Sequence, residues 1–348
     1  MTTQLDASIG LKKETTYGTG VTVDRHFEFM TESLDYQLEL IQGGGLRSGS
    51  RFPRSTRRSI GKYTAGGAFE MEAYSRGMGP IFEAAFGSGT STVISGAAYQ
   101  QLYTPGTTAD PLPSYTIQKG LPRVGGASIA TADTQTFVGA QCNTLELSCE
   151  VGGILKVATE WKAKNMGVAT AYATPSYPSS TNGQIFTFIH GAITIGGTVT
   201  APTTTALATG GTAIANITAA SVKLDNNLDD EGFYFGGAGL RGRPSVVQYT
   251  EDSITGSFTA EYTDNVLRDA YIAQTELAMV LTFQGTTAIV ASNYPTIQVY
   301  VPAIKLDGEV PKANGGNVVT VNAPFHGFDN TVATSPIYLA YVTADTAI

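Results

Sequence analysis

Charge is scarce in this 348-residue chain. Asp, Glu, Lys and Arg make up 14 % of it, against about 25 % in ordinary soluble domains. So little charge over such a length is expected of a chain that hides much of its surface against copies of itself. Positive charge is the scarcer sign, with 21 Lys and Arg against 29 Asp and Glu and a net charge of −8. That argues against a protein that grips nucleic acid through its phosphates, though not against a surface that DNA slides past. Two cysteines make no disulfide framework. Cys142 and Cys149 lie seven apart in one expected strand, on opposite faces and roughly 23 Å apart at ~3.3 Å per residue. A bridge needs Cα atoms within ~7 Å, so two free thiols are expected, with Cys149 in the core. No run of ~18 apolar residues offers a membrane-spanning helix. The opening MTTQLDASIG has neither the basic nor the apolar region of a secretory signal.

Gly is abundant, at 40 residues, and Thr and Ala are in visible excess; Gly and Thr disfavour long helices and Thr favours strands. Apolar residues at 42 % suffice for a core. The length fits one large all-β unit or roughly two domains. Period-two alternation marks strands. In 34–40, Leu34, Tyr36, Leu38 and Leu40 oppose Asp35, Gln37 and Glu39. In 68–74, Phe69 and Met71 oppose Glu70 and Glu72; in 144–150, Leu145, Leu147 and Cys149 oppose Glu146, Ser148 and Glu150. Further strands are expected at 155–161, 185–189, 219–225, 254–262, 278–284, 296–304 and 317–323. Short helices are expected at 78–86, between Pro80 and Gly87, and at 264–274, with Asp264 as N-cap. Segments 87–115 and 165–184 read as loops, and low-complexity 198–216 as a linker or surface excursion.

Order repeats along the chain. Gly67-x-Phe69-x-x-Glu72 recurs as Gly256-x-Phe258-x-x-Glu261, 189 residues later. A short helix follows each. A Gly-Leu-Arg loop precedes each, at Gly45–Arg47 and Gly239–Arg241, and an alternating strand precedes each loop. Two units are expected, residues 1–175 and 176–348, the first with a long basic loop at 41–63 and the second with the 198–216 segment.

Charge is unevenly placed. Residues 43–62 hold Arg47, Arg51, Arg54, Arg57, Arg58 and Lys62 and no acid. Two readings stand for this loop: an arm that docks on an acidic neighbouring subunit, and a nucleic-acid contact. Only Phe52 could stack a base, which favours docking. The polar strand faces are mostly acidic, with Asp35, Glu39, Glu70, Glu72, Glu146, Glu150 and Glu261 against few lysines. If they share one channel, its field repels polyanions.

Chemistry finds little footing. His26, His190 and His326 stand far apart, with no zinc pattern. There is no G-x-S-x-G elbow and no P-loop. The G-x-G-x-x-G at Gly237, Gly239 and Gly242 runs into Arg243-Pro244 and a strand-like SVVQYT, where a dinucleotide site needs a helix. The Asn216-Ile217-Thr218 sequon means little without a secretory signal. No catalytic, cofactor-binding or metal site is expected.

The opening ETTYGTGVT (Glu14–Thr22), then FEFMTESLDY (Phe27–Tyr36) and GGGLRSGSR (Gly43–Arg51), resembles the start of tail tube proteins of long, flexible-tailed bacteriophages. Residues 143–161 and 294–308 resemble strand pairs that recur in that family. The likeness covers most of the chain and is weakest at 88–130 and 165–215; no single motif in it is diagnostic. The resemblance implies a mainly β fold, a sandwich with short flanking helices whose sheets join side by side into a ring-shaped β-barrel. It implies stacked rings that form the conduit for genome delivery, in a virion tail assembled in the host cytoplasm. Loop 41–63 would be the segment that reaches neighbours, and Asp35, Glu39, Glu70, Glu72, Glu146, Glu150 and Glu261 candidate lumen residues. Partners would be the chain itself, the tape measure protein and DNA transiently in the lumen, and tail terminator and distal tail proteins at the ends, with no membrane insertion. The doubled pattern favours a trimeric, pseudo-hexameric ring over a hexamer. A capsid decoration or adhesive β-protein, with Phe233-Tyr234-Phe235 in recognition, is the alternative, and a hydrolase with a long-range triad a third class.

Overall fold

The computed structural model describes residues 6–106, 112–122, 133–168, 170–178, 183–214, 216–246, 248–308, 310–312 and 318–348. Residues 1–5, parts of the expected loops (107–111, 169, 179–182 and 215) and 317, the head of the last expected strand, lie outside the described residues.

The first half runs β1 (Ser8–Lys13), β2 (Arg25–Phe27), β3 (Phe29–Glu32), β4 (Asp35–Gln42), β5 (Arg58–Glu72), α1 (Gly79–Phe86), β6 (Gly87–Ser95), β7 (Ala98–Pro105), β8 (Tyr115–Gly120), β9 (Thr134–Glu150), β10 (Lys156–Ala163) and β11 (Asn165–Val168). The second runs β12 (Gly191–Ile195), β13 (Val199–Thr200), β14 (Thr209–Gly210), β15 (Ile217–Asp225), β16 (Ile254–Glu261), α2 (Val266–Ala273), β17 (Leu277–Gln284), β18 (Thr296–Leu306), β19 (Thr320–Gly327) and β20 (Tyr338–Thr343). The chain is mainly β, and its strand pairings are antiparallel.

A central sheet runs β4–β5–β10–β9–β15–β16–β19–β18. Two flanking sheets cover its apolar side. One is β2–β1–β8–β9–β11, the other β6–β7–β20–β18–β17–β12. The 17-residue β9 and the 11-residue β18 each belong to a flanking sheet at one end and to the central sheet at the other. One continuous core lies between the layers. Phe69 stacks on Trp161 at 5.8 Å, and Phe258 meets Phe325 at 6.4 Å. In the ladder Trp161 stands opposite Gly67, and Phe325 opposite Gly256. A Cβ on Gly67 would strike the Ser33 carbonyl, and one on Gly256 the Ser221 carbonyl. The order β4, β5, α1 recurs as β15, β16, α2, with a glycine and an aromatic ring at like places on β5 and β16, but α1 is packed into the core whereas α2 buries only Ala270.

Several expectations are corrected. Segment 87–115 is not all loop, because β6 and β7 form a hairpin whose inner residues Ala98, Gln101 and Tyr103 are buried. Its Ser/Thr/Gly content hid a strand that is held by pairing with the distant β20. The expected strand 185–189 is two isolated bridges, at Ile185 and Thr187, followed by a 3-10 turn at Phe188–His190. Within the 198–216 stretch, Val199–Gly210 folds down as the β13–β14 hairpin, tied to the body by Gln100 and Gln298. Both cysteines are free, and Cys142 is buried as well as Cys149, because β9 is covered on both faces there. The N-cap of α2 is Asn265, although Asp264 still accepts from the Val266 amide at 2.9 Å. α1 buries Ile81, Phe82 and Phe86, with Gly87 closing it in the left-handed region at φ 86°.

Candidate functional site

Register decides where the charged residues point. In a ladder, directly opposed residues share a face. Asp35 opposes Gly66 and Glu39 opposes Lys62. Gly66 is two and three steps of two from Glu70 and Glu72 along β5, which oppose Ala158 and Lys156. Ala158 opposes Glu146, Glu146 opposes Lys223, and Glu150 opposes Ala219. Lys223 opposes Thr255, which lies three steps of two from Glu261 on β16. All seven acidic residues singled out in the sequence therefore stand on one face of one sheet, away from the core. Glu160 and Asp225 join them, the first opposite Thr144 and Ala68, the second opposite Thr144. Sequence reasoning passed over these two, although both lie in phase with the alternation of 155–161 and 219–225.

From β4 to β16 that face holds nine carboxylates against Lys62, Lys156, Lys162 and Lys223; beyond them His326, opposite Thr255, and Lys305, opposite His326, share it. Each of the four lysines from β4 to β16 is engaged. Lys62 pairs with Glu39 at 3.1 Å, Lys156 with Glu70 at 3.1 Å, Lys223 with Asp225 at 3.4 Å and Lys162 with Asp230 at 2.8 Å. Hydrogen bonding from Lys162, helped by Arg241, holds the Asp230 carboxyl below its ordinary range. Tyr74 donates to both Glu72 and Glu28; burial first, then these acceptors, push its phenol above the ordinary range. Between the charges lie Ser148, Ser221, Ser257, Thr255, Thr259 and Asn322, which are small and neutral. From β4 to β16 the surface is acidic, and each of its lysines has a carboxylate partner.

The basic segment forms an arm. The long loop expected at 41–63 is shorter, since β4 and β5 pair as far as Ile41↔Ser59 and Gln42↔Arg58, leaving 43–57 as the connection. Alternating Leu38, Leu40 and Ile60 prolong the strands. These side chains have little to cover them: Leu38 is 47 % exposed, Ile41 58 % and Phe52 85 %, and Leu46 is fully exposed. Tyr36 and Tyr63 stack at 5.4 Å where the arm leaves the body. Arg57 donates to the Gly45 carbonyl at 3.2 Å. Among the described residues Arg47, Arg51, Arg54 and Arg58 make no ion pair. The structure brings the arginines together on the arm, whereas Lys62 sits at its base with Glu39.

The second Gly-Leu-Arg loop behaves differently. Its Gly239 carbonyl accepts from the Tyr63 amide at 2.8 Å, so it lies along β5. The Phe233 ring lies 5.2 Å from the Lys62 ammonium and 5.4 Å from the Arg241 guanidinium. Tyr17, of the opening ETTYG, donates to the Gly242 carbonyl and carries Lys164 and Arg243 over its ring. The G-x-G-x-x-G is part of this loop, and the described residues directly after it, 243–246, are not helical. The three histidines stay apart, and no group of three or more His, Cys, Asp or Glu able to hold a metal occurs among the described residues. No helix of the described residues is long and apolar enough to cross a membrane.

The family model described as phage tail tube protein matches residues 4–327. No curated protein matches the chain. The family match spans the central sheet, both helices and the arm, so the chain belongs to the phage tail tube protein family, a structural component of the virion tail.

Proposed function

We propose that this chain builds the wall of the tail tube as stacked rings, with the acidic sheet face lining the lumen and the arm holding copies together. The observation that carries the reading is the junction between β9 and β15. There seven consecutive pairs, from Ala219↔Glu150 to Asp225↔Thr144, join the two halves edge to edge. The outer edge of β4 and the Thr320–Pro324 edge of β19 lack such a partner strand among the described residues. Open edges seek strands, and a heterologous contact that closes gives a ring. Repetition of the β9–β15 type of joint between copies would close the sheet into a barrel.

The matched units β4–β5–α1 and β15–β16–α2 support reading residues 1–175 and 176–348 as two tube-type modules. Three chains then make a pseudo-hexameric ring; a ring of six chains is the alternative. The tape measure protein and then DNA would occupy the lumen in turn, with terminator and distal tail proteins at the tube ends. Assembly would take place in the host cytoplasm. The role is mechanical and electrostatic, with no catalysis and no cofactor. Electron microscopy of the purified chain tests this: hollow tubes with threefold end-on projections are expected. Isolated monomers or trimeric knobs would overturn the tube reading, and sixfold projections from six chains the two-module reading.

A further inference from the structure

The joint between the two halves has a counterpart, residue for residue, at the outer end of the second half. A Cβ on Gly67 would strike the Ser33 carbonyl and one on Gly256 the Ser221 carbonyl, so Ser33, just before β4, and Ser221 on β15 hold like places. Five residues on, Leu38 of β4 matches Asn226 at the end of β15. Trp161, opposite Gly67, faces Cys142 on β9; Phe325, opposite Gly256, faces Leu306 on β18. Cys142 and Leu306 are therefore matched too. The left-handed caps Gly87 and Gln274 align the ends of α1 and α2 and set Ala85 against Ile272.

Within the chain the joint is polar. Asn226 is fully buried, and its amide donates to the Ala85 carbonyl in the last turn of α1 at 2.8 Å and to the Cys142 carbonyl at 3.1 Å. In the second half the same work is done locally. Gln274 donates to the Tyr271 carbonyl in the last turn of α2 and to the Leu306 carbonyl, each at 3.0 Å. It does so from φ 51°, where glycine is the usual cap. A second acceptor differs as well. Asn143 Oδ1, next after Cys142, receives the Leu228 amide at 3.0 Å, whereas Asp307, next after Leu306, faces His326 Nε2 at 3.0 Å. The outer end lacks apolar cover instead. Ile272 is 64 % exposed where Ala85 is buried, and Leu38 is 47 % exposed where Asn226 is buried.

We propose that this exchange of side chains makes the two joints of the ring non-interchangeable. The α2–β18 end takes β4 of a second copy, with Leu38 packing on Ile272. It refuses β15, whose Asn226 would be buried there with its acceptors already taken. A buried amide without acceptors is costly, and such a misfit against the wrong partner gives specificity. Each β15 then stays on its own β9, and each β4 reaches the next chain. This rests on the tube reading. The test copies the internal joint onto the outer one. Leu38→Asn alone should abolish sedimenting tubes while circular dichroism matches the parent. Adding Gln274→Gly and Ile272→Ala, which frees the Leu306 carbonyl and recreates the end of α1, should restore them. Tubes at parental yield from Leu38→Asn, or none from a folded triple variant, would overturn the proposal while leaving the tube reading intact; no tubes from the unmodified chain would overturn that reading first. Should the triple variant not fold, cross-linking decides. Leu38→Cys with Ile272→Cys in a Cys149→Ser background, assembled and treated with a short bis-maleimide, should give a ladder of linked chains that is absent from either single variant. No ladder would refute the contact.

Discussion

Glu14 is buried, and its carboxylate takes four hydrogen bonds. The amides of Gly18 and Gly139 donate at 2.8 Å each, Ser114 Oγ at 2.8 Å and Thr116 Oγ1 at 3.0 Å. Hydrogen bonds to a charged group contribute about 1.5–3 kcal/mol each, and a buried donor left unsatisfied costs about 1–3 kcal/mol. Glu14→Gln turns one acceptor into a donor facing donors. A loss of about 2–4 kcal/mol is expected, read from the denaturant midpoint at unchanged slope. His26 supplies a second prediction. Its ring is buried, and Nδ1 accepts from the Ser176 amide at 3.2 Å, which needs the neutral form. Burial lowers its pKa below 6.5, with Asp24 opposing in part. The unfolded chain then binds the proton more readily, so stability falls as pH drops through about 6.5, by at most ~1.4 kcal/mol per pH unit. Thermal melts at pH 7.5 and 5.5 should show that drop, and His26→Gln should reduce it.

Among elements the arm is the least self-sufficient. A two-stranded ribbon is marginal in water on its own, and this one exposes leucine, isoleucine and phenylalanine on top of five arginines. Reversing Arg54, Arg57 and Arg58 to Glu should leave a folded subunit that does not polymerise. Circular dichroism should match the parent, while sedimentation should show no tubes; normal tubes would remove the docking role. The buried face of β5 should respond differently. Phe69→Ala removes the ring stacked on Trp161. Aromatic truncation in a core costs about 3–5 kcal/mol, so Tm should fall markedly before any question of assembly arises. Long β9 is the element that alternation detected only in part. Residues 144–150 alternate because one face is solvated, whereas 134–143 are covered on both faces and lose the period.

For the whole molecule the sign of the field over the acidic sheet face, proposed to line the lumen, is the testable property. Glu70→Lys with Glu72→Lys should still give tubes, since both side chains point away from the core. Virions that carry the pair should release DNA more slowly in an ejection assay, because lysines there would hold phosphates that carboxylates repel. Unchanged ejection would mean that this face does not line the path.

Sequence by itself determined the mainly β class, the two short helices, the basic arm and the in-phase carboxylates. All of these follow from periods of two or from local composition, which neighbours along the chain impose. Tertiary structure alone decided the rest. That Glu70, Glu146 and Glu261 share one face depends on the register between strands far apart in sequence. That one Gly-Leu-Arg loop projects while its counterpart lies along β5 depends on the Tyr63–Gly239 hydrogen bond and the Phe233 contacts. The β6–β7 hairpin exists because β20, from the far end of the chain, supplies its partner. Backbone pairing satisfies whichever edges meet in space, and no local pattern encodes which those are.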